Sequence, residues 1–360
     1  MSSTIVKGGS LNRDHISNLL LIQLGDIGDV VLTTPSIAAL RRNFPQSKIT
    51  IAVRFKAREL MQDYPLVDEI LIGDKLDGNL PMQWSQTINQ IRTMRRAKYD
   101  LAIDFRTGTR GAIMARSSGA PQRVAFYEKN EAFWRNWVFT HLADIPYQLG
   151  TYVADYYHQI LCAFDLSNSP GPLKLVVSPA MHARADQVRR RKQIPETLPY
   201  IVLQPFSLWS YKELTIDHYV QIIEYIDKRY GIPVVIAGGP ADKHKAERIE
   251  ALCRCRTFNL CGDTTIGEMA ALVAQSRLFV GIDSAGIHIA AALERPTVCI
   301  FGPSSPDSWA PRGSSHQVVQ PDEPCTPCRQ KGCKDTEVSL CLQRFPVAKI
   351  LAAIEHQLGD

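Results

Sequence analysis

Asn18-Leu19-Leu20-Leu21-Ile22-Gln23-Leu24 runs directly into Gly25-Asp26-Ile27-Gly28-Asp29. A short, continuous apolar run suits a strand buried on both faces of a parallel sheet. The glycines make the following turn tight, and the turn sets two carboxylates where a sheet meets a helix start. The next helix has Thr34 as its expected N-cap, Pro35 in its first turn, and Ile37, Leu40 and Phe44 as its apolar stripe. An Asp at such a turn either caps the helix or acts as a general base, and both readings stand for Asp26 and Asp29.

The same alternation continues outward. Lys48 to Val53, Asp68 to Ile72 and Tyr99 to Phe105 read as strands, with a helix from Gln83 to Arg96 between the last two. It begins again at Tyr200 to Phe206, then Asp217 to Arg229 (helix) and Pro233 to Ala237 (strand). Helix and strand alternate again from Asp242 to Phe301. Repeated strand–helix order implies parallel βαβ units, hence an α/β protein with two Rossmann-like doubly wound domains. Such domains are expected to face each other across a central cleft, with ligands beyond the carboxyl ends of the strands. The expected division is an N-terminal extension (1–17), a first domain (18–170), a linker (171–197), a second domain (198–345) and a C-terminal helix (346–360). The linker carries Arg189-Arg190-Arg191-Lys192, which reads as a solvated helix face or a basic patch for an acidic acceptor.

Length agrees with two domains, since 360 residues is more than twice the usual ~150 per domain. The 45% apolar fraction excludes wholesale disorder, and 22 Gly and 22 Pro exclude a collagen-like chain. A net charge of +5 is too weak to argue for nucleic acid, but it suits an anionic substrate or an anionic membrane surface. No apolar run approaches the ~20 residues of a membrane helix, and no signal peptide is legible, so the cytoplasm is the expected compartment.

Chemistry is sought in the turns after strands. Gly25 and Gly28 do not form a dinucleotide fingerprint, which disfavours a nicotinamide-dependent oxidoreductase. Asp283-Ser284-Ala285-Gly286-Ile287-His288 opens an apolar helix, whose free N–H groups and dipole favour a diphosphate; Ser284 adds a hydroxyl and His288 lies within its first turns. Pro205-Phe206-Ser207-Leu208-Trp209-Ser210-Tyr211-Lys212 brings hydroxyls and one ammonium, a pattern suited to phosphate oxygens. Gly238-Gly239-Pro240 is a further permissive turn where backbone can approach a ligand. Cys325, Cys328, Cys333 and Cys341 form the one cysteine cluster, read either as packed thiols or as a zinc or iron–sulfur site.

Taken together, Gly28 to Pro35, Tyr99 to Asp104, Asp283 to Leu293 and Phe301-Gly302-Pro303-Ser304-Ser305-Pro306 resemble the ADP-heptose:lipopolysaccharide heptosyltransferases, a family of GT-B fold. The Pro205-Phe206-Ser207 opening is similar to the heptosyltransferase III-like subgroup. The resemblance spans Leu19 to the C-terminal helix. It implies an inverting glycosyltransferase that moves heptose from ADP-heptose to the inner core of lipopolysaccharide, with Asp29 as catalytic base. Donor contacts then fall on Ser207, Lys212, Gly239, Asp283, Ser284, Ala285 and His288. Ala285 stands where the family usually has Gly, and Leu214 where an aromatic residue is common. Gly28, Arg106 and Arg123 are the acceptor-side candidates. The resemblance implies no metal or other cofactor and a cytoplasmic enzyme, peripheral on the inner face of the inner membrane. The rival readings are a transferase or epimerase of this fold using another nucleotide sugar, and a retired protein that only binds nucleotide or glycan.

Overall fold

The computed structural model describes residues 4–73, 80–130, 134–195 and 198–359, with residues 80–84 and 335 in backbone only. The ends of the expected extension and C-terminal helix (residues 1–3 and 360) and residues 196–197 of the expected linker lie outside the described residues. The chain divides into two compact units, Met1–Leu173 and Lys174–Asp360.

The first unit is built on a seven-stranded sheet: β1 (Thr4–Lys7), β2 (Asn18–Gln23), β3 (Lys48–Val53), β4 (Glu69–Ile72), β5 (Leu101–Asp104), β6 (Gln122–Phe126) and β7 (His141–Asp144). The spatial order is β1-β7-β6-β5-β2-β3-β4. Only β1 runs antiparallel, along β7. Leu19 to Ile22 are wholly buried, as a strand covered on both faces requires. Leu20 and Ile22 pack with Ala52, Ala102 and Ala125 in one apolar cluster.

The second unit carries β8 (Ile201–Gln204), β9 (Val234–Ile236), β10 (Thr257–Asn259), β11 (Leu278–Ile282), β12 (Thr297–Ile300) and β13 (His316–Val319), all parallel. Their order is β10-β9-β8-β11-β12-β13. Side chains alternate by the strand period of two. Ile201 and Leu203 join Ile222, Ile226 and the C-terminal helix on one face, while Tyr200 and Val202 join Leu272 and Ile287 on the other. That C-terminal helix, Val347–Leu358, seats Ile350 and Ile354 in the core.

Without β1, both sheets have the doubly wound order 3-2-1-4-5-6. Each therefore has one switch point, β2/β5 in the first unit and β8/β11 in the second, where the strand order reverses and a crevice opens.

Three local expectations are corrected. The turn after β2 is shorter than its glycines suggest: a helix, Ile27–Leu32, begins inside it, with Asp26 as N-cap. The following helix starts at Thr34 with Thr33 as its cap, because Thr33 is drawn inward, donating to the Asp29 carbonyl at 2.8 Å and accepting from Gln23 at 2.6 Å. The basic run lies on a helix, Pro179–Arg191, whose Met181, Ala185 and Val188 pack into the second unit's core. Arg189 is consequently buried rather than solvated, donating to Gln275 Oε1 at 3.0 Å and to the Pro195 carbonyl at 2.6 Å.

Candidate functional site

At the first switch point, Asp29 is the third residue of its helix and is buried. Both carboxylate oxygens are held. Oδ2 accepts from the Asp26 N–H at 2.8 Å and from Arg106 Nη1 at 3.0 Å. Oδ1 accepts from the Tyr157 hydroxyl at 2.6 Å. Arg106 follows β5, and Tyr157 projects from the helix Val153–Ala163. Asp29 thus satisfies the Asp26 N–H at its helix start and also sits at the centre of a charged network, so the capping and chemical readings coexist. Gly25 makes this possible, since a Cβ there would lie 2.3 Å from Asp29 Oδ2. Asp26 is the outer carboxylate. Burial pushes it up, but Lys56 at 2.5 Å and Arg54 at 3.0 Å outweigh that and hold it below the usual carboxylate range.

Behind Arg106 lies Asp104, the last residue of β5, wholly buried, with Oδ1 accepting the Arg106 N–H at 3.0 Å. Burial pushes its carboxyl up to about 7, against the pull of that N–H and of Arg135 and Arg106. A carboxyl raised by folding binds its proton more tightly in the native state. Its contribution to stability is complete below the ordinary value near 3.8 and is lost as pH rises through about 7. Asp104→Asn removes this titration. Thermal unfolding should show the variant gaining on the parent protein from pH 5 to pH 8, and a pH-independent difference would contradict the assignment.

At the second switch point, Lys212 ends a single turn (Ser210–Lys212) after β8, and Asp283 directly follows β11. Lys212 Nζ lies 2.6 Å from Asp283 Oδ2, with both side chains largely buried. The pair leaves other ammonium protons for an incoming anion. Next to Asp283, Ser284 caps the helix Ala285–Ala292. Ser284 Oγ and Gln204 Oε1 are buried with no hydrogen-bond partner among the described residues. Gln204 Oε1 presses on Gly286, where a Cβ would come within 1.7 Å of it. Ala285 opens the helix without positive φ, so the absence of the family's usual Gly imposes no strain. His288 is buried one turn in, its ring 6.4 Å from that of Trp309.

The Lys212 loop is closed at its base by one hydroxyl. Tyr219 donates to the Pro205 carbonyl at 2.5 Å and accepts from the Leu214 N–H at 3.0 Å. Leu214 is buried beside it, in place of the expected aromatic residue. Within the loop, the Ser207 N–H donates to Glu213, which also binds Lys245 at 2.8 Å. Tyr219→Phe would leave two buried backbone groups unpaired, at about 1–3 kcal/mol. Chemical denaturation should register that loss together with weaker nucleotide binding; unchanged nucleotide affinity would show that the loop does not depend on this bond.

Asp29 and Arg106 thus meet at one switch point, and Lys212, Asp283 and Ser284 at the other. Gly28 is beside Asp29, half-buried in the same helix. Gly239 follows β9, exposed, its N–H donating to Asp242 Oδ2 at 2.8 Å. Arg123, on β6, donates to the carbonyls of Val138 at 2.7 Å and Ala120 at 2.5 Å, which ties it to its own unit's backbone. Cys325, Cys328 and Cys333 are near enough to raise the thiol of Cys341, though burial raises it more. Among the described residues no group of three or more His, Cys, Asp or Glu side chains is arranged to hold a metal ion. Sequence reasoning missed Tyr157, Gln204, Asp104 and Tyr219. Asp104 and Gln204 each carried a signal, a place at the end of a strand.

Residues 88–339 match the model of glycosyltransferase family 9 (heptosyltransferase). Lipopolysaccharide heptosyltransferase 3 of Escherichia coli is 26% identical over 338 residues, 92% of this chain and 96% of that protein. Among solved structures, the glycosyl transferase family 9 protein of Veillonella parvula DSM 2008 superposes with a TM-score of 0.81 at 21% identity, covering 97% of this chain and 99% of that one. The ADP-heptose lps heptosyltransferase II of E. coli gives 0.77 at 20% identity, covering 95% and 98%. The two doubly wound sheets are thus those of the GT-B heptosyltransferase structures. With a family match over more than half its length, the chain belongs to glycosyltransferase family 9, the heptosyltransferases.

Proposed function

We propose that this glycosyltransferase moves heptose from ADP-heptose to the anionic inner core of lipopolysaccharide, with inversion at the anomeric carbon. The observation that carries the reading is the state of Asp29. Among the described residues Oδ2 holds two donors and Oδ1 one, so Oδ1 keeps a lone pair for an acceptor proton. As the acceptor hydroxyl loses its proton to Asp29 Oδ1, its oxygen forms the new bond to the anomeric carbon. The bond from that carbon to the ADP oxygen breaks, and its electron pair leaves with the diphosphate. A single displacement of this kind inverts the configuration.

The second unit supplies the groups suited to the departing charge. Lys212 is a buried ammonium held by Asp283, and Ser284 and the helix start beside it offer further donors. Acceptor activation is therefore assigned to the first unit and donor binding to the second. The relatives' names support the donor and acceptor, being a lipopolysaccharide heptosyltransferase and an ADP-heptose lps heptosyltransferase. The excess of cations supports contact with an acceptor anchored in an anionic leaflet. Among the described residues no helix is long and apolar enough to cross a membrane.

The test incubates the protein with ADP-heptose and a panel of truncated lipopolysaccharide cores, read by mass spectrometry. One core should gain a single heptose with one ADP released and with inverted linkage. Transfer from another nucleotide sugar, with ADP-heptose inert, would overturn the proposed donor.

A further inference from the structure

The Arg106 side chain serves Asp29, yet its main chain is gripped on both sides. Asp104 Oδ1 accepts its N–H, and Arg135 Nη2 donates to its carbonyl at 3.0 Å. Asp104 and Arg135 are both fully buried. Arg135 is fixed in turn by the Phe126 carbonyl at 2.9 Å and by the Phe139 ring, 5.0 Å from its guanidinium. A buried guanidinium is costly, several kcal/mol before compensation. Here it and a buried carboxyl converge on the backbone of one residue. That residue was expected on the acceptor side, but its Nη1 is committed to Asp29 Oδ2 and to the Tyr157 hydroxyl at 3.2 Å.

We propose that Arg106 and Tyr157 are positioning residues for the base, aiming Asp29 Oδ1 at the acceptor, and that the Asp104–Arg135 clamp sets the position of Arg106. The assignment rests on Asp29 being the base. Arg106 and the Asp26 N–H fill Oδ2, which leaves Oδ1 to take the proton. Tyr157 fixes the rotation of the carboxylate by occupying one side of Oδ1. The groups facing Asp29 are Arg106 and Tyr157, with Asp26 and its cations Arg54 and Lys56 on the outer side. Among the described residues Arg106 is the cation that touches the carboxylate directly.

The experiment measures kcat and acceptor KM for Arg106→Met, Asp104→Ala and Asp104→Asn. ADP affinity of the second unit and thermal unfolding serve as folding controls. Arg106→Met should lower kcat about 10- to 100-fold and leave acceptor KM within about twofold. Asp104→Ala should lower kcat in the same way with acceptor KM again little changed. Asp104→Asn keeps an oxygen for the Arg106 N–H and should recover most of that loss. A raised acceptor KM with kcat little changed would overturn the proposal and make Arg106 an acceptor contact. Equal losses in the two Asp104 variants would remove the clamp from it. Asp29→Asn separates this from failure of the underlying reading: a variant that still turns over means Asp29 is not the base at all.

Discussion

Asp29→Asn should reduce heptose transfer by about 10²–10⁴-fold while ADP binding stays within a factor of two or so of the parent protein. The substitution is nearly isosteric and retains an oxygen that can accept. Asn cannot, however, take the acceptor proton, and its NH₂ group must face donors that now point at the carboxylate. Placed on the Oδ2 side it meets Arg106 and the Asp26 N–H; placed on the Oδ1 side it meets the Tyr157 hydroxyl. Tyr157 can turn its hydroxyl and accept, whereas Arg106 and the amide cannot, so the Oδ1 side is the one the NH₂ takes. The vacant lone pair is then replaced by a donor. Rate is read as ADP release in the presence of acceptor, and affinity by calorimetry with ADP alone. Undiminished turnover would remove Asp29 from the chemistry.

Lys212→Ala should weaken ADP binding by about 100-fold or more. Charge-assisted bonds to a diphosphate contribute about 1.5–3 kcal/mol each. Removing the ammonium also strands Asp283, whose side chain is 6% exposed and 2.6 Å from Lys212 Nζ. Breaking a buried pair from one side costs about 3–5 kcal/mol, so the second unit should unfold at lower temperature as well. An unpartnered Asp283 would in addition repel the diphosphate. The double variant Lys212→Ala/Asp283→Ala distinguishes these effects: it should recover stability but not affinity. Nucleotide affinity unaltered in the single variant would remove Lys212 from the donor site.

The alternation of apolar runs and amphipathic segments made the two doubly wound sheets legible, because strands such as Leu19–Ile22 must be apolar on both faces. Less visible were β1, β6, β7 and β13. Gln122-Arg123-Val124-Ala125-Phe126 is half polar because its first residues leave the core, and Thr4–Lys7 is exposed throughout. The site was legible where a residue type in the segment after a strand implies chemistry, as for Asp29, Asp283 and Lys212. Its supporting partners were not. Tyr157 and Tyr219 lie inside helices, where a tyrosine reads as core and only the fold decides what its hydroxyl meets. Arg123 and Arg189 show the converse: one is expected on the acceptor side and the other on a solvated face or basic patch, yet their guanidinium groups are used on carbonyls within their own units.

The doubly wound order also bears on when function can arise during folding. Asp29 and Arg106 are 77 residues apart, and Lys212 and Asp283 are 71 apart. Each pair bridges the central strand pair at which the two halves of its unit meet. Contacts of such long sequence separation form only after a large loop has been closed, which is slow. Neither half of a unit can hold its decisive ion pair alone, so a chain trapped half-folded in either unit contains helices and strands but no working site. Recovery of activity after denaturation should therefore lag behind recovery of secondary structure.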